Sequence, residues 1–184
     1  MSSKRRLSIE EARHLFRLDP ETGHVFWSGE IYPDMWPTLK KWKGRRAGSV
    51  GAAGYRYIEI TRGGERIQDF EHHVVWRLHY GEPPPECTDH ADRNRTNNAV
   101  ANLRAATRSD NARNRPRIFR DPSTTCRYKG IYLDRSMKRR KRYRAVIYIK
   151  KHAIRLGRYA TEDEALEAYK RAALELHGAF ATWE

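Results

Sequence analysis

Residues 114–125 carry Pro116 and Pro122 and no hydrophobic period, so the chain is expected to break there. In a chain of 184 residues this leaves two small domains, over 1–115 and 126–184, joined by a linker over 116–125. Each can have only a limited core. On both sides of the break the elements are short and mixed, which places the fold in the α+β class.

Before the break, Ser8 and Glu11 form a capping box for a helix whose apolar stripe is Ala12, Leu15 and Phe16. Asp19-Pro20 and Gly23 end it, and residues 24–27 (HVFW) predict a strand. The stretch 30–43, with Pro33, Pro37 and two tryptophans, predicts no element. Strands over 55–60 and 66–70 are joined through Gly63-Gly64. A helix over 71–80 carries Val74, Val75 and Leu78 and is stopped by Gly81 and Pro83–Pro85. The Asp- and Asn-dense stretch 89–98 reads as an irregular loop. After the break come three strand signals (129–133, 143–149 and 153–156) and one helix. Thr161 and Glu164 cap that helix, its apolar face is Ala165, Leu166, Tyr169, Ala172, Ala173 and Leu176, and Gly178 ends it.

Thirty-seven Lys and Arg against 23 Asp and Glu give a net charge of +14. Such an excess makes like charges repel in the compact state, which points to a polyanionic partner. That partner is nucleic acid or an acidic membrane surface. No apolar run approaches the ~20 residues of a spanning helix, and no signal-peptide segment follows the basic N-terminus. The expectation is therefore a cytoplasmic protein without a membrane partner. Cys87 and Cys126 lie far apart with no Cys-x-x-Cys pair, which favours reduced thiols over a disulfide framework or a four-ligand zinc site.

The chemistry concentrates in residues 86–111. Asp89 and His90 are adjacent, Asn102 follows twelve positions later, and Asn111 nine after that. Phosphodiester hydrolysis needs an activated water and neutralised charge on the phosphate. A neutral imidazole can take the water's proton, and a cation on oxygen ligands can stabilise the developing charge.

HHVVW at 72–76 followed by DHADRNRTNNAVANLRAATRSDN at 89–111 resembles the phage and intron-homing branch of the HNH endonucleases. The resemblance implies a ββα-metal fold around one divalent cation, Mg²⁺ or alternatively Mn²⁺, and no small-molecule cofactor. By position, His90 is the general base, Asn102 orients it, and Asp89 and Asn111 are the metal ligands. Asn111 lies on a helix starting near Ser109, and His72 is a supporting residue. Arg93 stands where the family has glycine, so a positive φ there would carry strain. Taken singly, Asn94, Asn97 and Asn98 read as turn chemistry, and an isolated Asp-His pair is more often a surface turn. The joint spacing of Asp89, His90, Asn102 and Asn111 overrides that reading.

Residues 113–160 hold seventeen Lys or Arg against two Asp, interleaved with tyrosines. Strand alternation puts Tyr143, Ala145, Ile147 and Ile149 on one face and Arg144, Val146, Tyr148 and Lys150 on the other. Residues 128–183 are similar to the plant-type Apetala-two/ethylene-response-factor DNA-binding domain. On that resemblance the DNA-facing residues are Tyr132, Arg135, Arg144, Val146, Tyr148, Lys150, Ala153 and Arg155. The expected whole is a metal-dependent endonuclease that nicks or cleaves double-stranded DNA as a monomer or weak dimer. Its rivals are a non-catalytic DNA-binding regulator on a degenerate HNH fold and an RNA-binding protein.

Overall fold

The computed structural model describes residues 5–114, 126–134, 142–149 and 152–183. The chain divides into two compact units, 1–106 and 107–184. The expected linker over 116–125 lies outside the described residues.

In the first unit, helix α1 is Ile9–Leu15. Ser8 accepts the Glu11 N–H and Glu11 accepts the Ser8 N–H, completing the capping box. The apolar stripe predicted Phe16 inside this helix, but Phe16 begins strand β1, Phe16–Asp19. Phe16 pairs with Trp27 of strand β2, His24–Trp27, and their rings lie 4.9 Å apart. A ladder and a buried cross-strand aromatic pair outweigh one more residue of helix. A 3₁₀ helix, Pro37–Trp42, occupies the stretch for which the sequence predicted nothing. Its turns close over three residues and need no apolar period.

Strands β3 (Ser49–Val50), β4 (Arg56–Arg62) and β5 (Glu65–Phe70) form an antiparallel sheet in that order. The β4–β5 turn places Gly63 and Gly64 at φ 55° and 75°, as a tight hairpin demands. Helix α2, Glu71–Tyr80, follows β5 directly and ends at Gly81 in the left-handed conformation. Leu15, Phe16, Val25, Ile58, Ile67 and Val74 are buried in one core. Each such side chain contributes about 1.5–3 kcal/mol by leaving water. Strands β6 (Cys87–His90) and β7 (Leu103–Ala106) pair antiparallel. Asp89 and His90 thus end a strand, and the irregular loop begins only at Ala91. The ladder with β7 overrides their loop-like composition.

The second unit opens with helix α3, Arg108–Asn114, where Thr107 and Asp110 bond reciprocally. The sequence division at 115 had grouped this helix with the first domain. Strands β8 (Ile131–Leu133), β9 (Tyr143–Ile149) and β10 (His152–Tyr159) form an antiparallel sheet with β9 central. Helix α4, Glu162–His177, is capped by Thr161 and packs on that sheet through Ala165, Tyr169 and Ala173. Leu176, expected on the same face, is exposed. Cys87 and Cys126 form no disulfide. Among the described residues no helix is long and apolar enough to cross a membrane.

Candidate active site

The β6–β7 register decides what stands beside the Asp-His pair. Asp89 lies opposite Arg104, and His90 opposite Leu103. Arg104 Nε and Nη2 donate to Asp89 Oδ2 at 2.9 and 2.7 Å. Both Asp89 and His90 are 5 % exposed. The sequence flagged Asp89 but not its guanidinium partner, although the Asn-Leu-Arg step places Arg104 there once the hairpin is in register.

The loop from Ala91 is tied by its own polar side chains. Asn102 Oδ1 accepts the Asp92 N–H at 3.0 Å, and Asn102 Nδ2 donates to Asp92 Oδ1 and to the Asn97 carbonyl. Burial pushes the Asp92 carboxyl up, but hydrogen bonds from Asn97, the Asn94 amide and Asn102 outweigh it and hold it below its ordinary value. Arg93 sits at φ 66°, the one non-glycine residue with positive φ among those described, so the strain foreseen from the missing glycine is present.

Asn102 was expected to orient His90. The side chain that meets the ring is instead Asn98, whose Oδ1 lies 2.9 Å from His90 Nε2. Asn102 is occupied in closing the loop. Asn98 is 1 % exposed, and its Nδ2 donates to Glu71 Oε2 at 2.7 Å. Glu71, the first residue of α2, is fully buried and also accepts from Arg46 and the Val25 N–H. Neither Asn98 nor Glu71 was singled out from the sequence. Asn98 resembled ordinary turn chemistry, and Glu71 an ordinary acid in a helix's first turn.

Aromatic rings enclose His90. The His72 centroid lies 5.2 Å away at a steep angle, and Tyr55 lies 6.1 Å away. His72 stacks on Phe70, and its Nδ1 has no hydrogen-bond partner among the described residues. Burial, with His73, His90 and Arg6 nearby, pushes His72 down to about 2. The folded protein therefore refuses a proton that the unfolded chain takes below pH ~6.5. This contribution is intact above pH ~6.5 and erodes by about 1.4 kcal/mol per unit as the pH falls from there toward 2. From pH 6.5 to 5 the loss is about 2 kcal/mol. Thermal melts at pH 7 and pH 5 should show a smaller acid shift for His72→Phe than for the unsubstituted chain. Equal shifts would mean that another group senses the acid.

In the second unit, Tyr132 pairs with Arg144, whose guanidinium lies 5.5 Å from the tyrosine ring centre. Tyr148 pairs with Ala153, and Arg155 with Val146, so these six residues share one face of the sheet. Tyr132, Arg144, Tyr148 and Arg155 reach solvent, Tyr148 with 53 % of its surface. Val146 does not. It is 6 % exposed and lines a cavity of about 560 Å³ with Ser109, Ala112, Tyr132 and Tyr148, which removes it from the expected DNA-facing set. Arg135 and Lys150 lie outside the described residues. Asn111 sits on α3 in the second unit, whereas Asp89 belongs to the first.

The β6–β7 hairpin thus ends in a buried Asp-His pair and is closed by an asparagine-laced loop. Residues 69–113 match the family model described as HNH endonuclease, which supports a DNA-cleaving hydrolase. Among solved structures, the chain is similar to that of the HNH homing endonuclease I-HmuI, from work on its DNA binding and cleavage. Identity is 25%, and the match covers 54% of this chain and 50% of the other. The TM-score is 0.38, short of a shared overall fold. The chain thus spans half the length of that structure. No curated protein matches it.

Proposed function

We propose that the chain is a metal-dependent endonuclease that hydrolyses phosphodiester bonds of double-stranded DNA, of the phage or homing type. The observation that carries this reading is the buried pair Asp89 and His90 at the end of β6, inside the segment that matches the HNH family. His90 accepts a proton from water as the water oxygen attacks phosphorus and an ester oxygen leaves. The aromatic rings around His90 keep bulk water from its flanks.

The donor set fits a hard dication. On the family resemblance Asp89 would supply a carboxylate and Asn111 an amide carbonyl, and Mg²⁺ commonly needs only one or two carboxylates with water completing the shell. Such an ion, when bound, supplies charge neutralisation on the phosphate and the leaving oxygen. Two hydrogen bonds from Arg104 end on Oδ2 of Asp89 and help to set the carboxylate's orientation.

The second unit supplies DNA binding through the sheet face of Tyr132, Arg144, Tyr148 and Arg155, in the manner of the Apetala-two-type domains. Exposed cations beside tyrosines on a strand face suit phosphate and base-edge contacts. The test is plasmid nicking by the full chain with Mg²⁺ or Mn²⁺, with and without a chelator. Relaxed circles that vanish on chelation are expected. DNA binding with no nicking under either cation would leave a non-catalytic binder instead.

A further inference from the structure

The three side chains Glu71, Asn98 and His90 form a line of hydrogen bonds with only one consistent sense. Glu71 accepts N–H groups from Arg46 and Val25, and a carboxylate has no hydrogen to donate. The Asn98 atom facing it at 2.7 Å is therefore the amide nitrogen. The other end of the same rigid amide, its oxygen, then faces His90 Nε2 at 2.9 Å. An amide oxygen cannot donate, so Nε2 must carry the hydrogen. In a neutral imidazole this leaves Nδ1 with the lone pair.

We infer that Glu71, acting through Asn98, is a positioning residue that holds the His90 ring by keeping its Nε2–H on the Asn98 amide oxygen. The inference rests on the reading of His90 as base, but its spectroscopic arm does not need that reading. Glu71 is fully buried and reaches His90 only through Asn98. It fixes which way the amide points, because it is buried, accepts only, and is held by Arg46 and Arg56. A neutral amide in its place offers both a donor and an acceptor, and Asn98 could then turn over.

The experiment records nitrogen NMR of the full chain, labelled with ¹⁵N-histidine, without DNA or metal at pH 8. The expected spectrum shows a single Nε2–H tautomer for His90. In Glu71→Gln the Nδ1–H form should appear, and kcat for nicking should fall about 10-fold or more while KM stays unchanged. The loss should be smaller than the ~10⁴-fold known where the orienting acid touches the imidazole directly. Should Glu71→Gln not fold, Asn98→Ala gives the same reading by removing the acceptor from Nε2. Glu71→Asp, which still only accepts, should restore the single tautomer. A proton on Nδ1 in the unsubstituted chain overturns the inference. So does an unchanged tautomer with full kcat in both variants. Unchanged nicking by His90→Ala would sink the base assignment alone and leave the tautomer result standing.

Discussion

Replacing His90 with alanine is expected to lower plasmid nicking by ~10²–10⁴-fold, the usual contribution of a positioned general base. The fall should appear in kcat. His90 is 5 % exposed at the end of β6, so its ring offers DNA little binding surface to lose. Affinity for uncut DNA should therefore hold, because exposed cations such as Arg144 and Arg155 on the second unit's sheet are untouched. The truncation leaves Asn98 without its ring partner and opens space against His72 and Tyr55, so a modest drop in melting temperature should accompany the loss. A folded His90→Ala protein that cuts at the original rate would remove His90 from the chemistry.

The second large effect comes from a glycine far in sequence from the Asp-His pair. The turn joining β1 to β2 carries Gly23 at φ 67°, and the Pro20 carbonyl accepts the Val100 N–H at 3.1 Å. A Cβ on Gly23 would fall 1.8 Å from the carbonyl carbon of Asn98 and 2.3 Å from the nitrogen of Ala99. These are backbone atoms, so no side-chain rotation relieves the overlap. Strain from the left-handed backbone adds about 1 kcal/mol, and the overlap at least a further ~2 kcal/mol. Gly23→Ala should thus cost about 3 kcal/mol or more, a fall of roughly 10–25 °C in melting temperature for a domain of this size. Gly64→Ala is the control. Its φ is 75°, yet nothing lies within 4 Å of the added carbon, so it meets only the backbone strain. If the two variants melt together, the turn does not press on the loop.

The parts of the site that were legible in the sequence are those whose partners are local or follow a fixed register. Asp89 and His90 stood out by adjacency and spacing, and the loop-closing bonds of Asn102 reach only to Asp92 and Asn97. Glu71 and Asn98 were not legible. They lie 27 residues apart and meet only because α2 packs beneath the loop. No local pattern separates a buried helix-start acid from an exposed one. Phe16 was assigned to the wrong element because the apolar spacing of α1 continues one residue past its end, and only the pairing with Trp27 ends it. Val146 obeyed strand alternation but not its consequence. Its face of the sheet is covered at that point and open at Tyr148.

Most surface loops rich in Asp and Asn fluctuate independently of the body that carries them, with opening free energies near zero. The stretch around Asn98 is built otherwise. Glu71 binds it while also gripping β2 through Val25 and the segment before β3 through Arg46. Separating the loop from His90 means pulling on three elements of the interior at once. Its excursions are therefore coupled to cooperative unfolding of the first unit, and the alignment of the imidazole persists for as long as that unit stays folded.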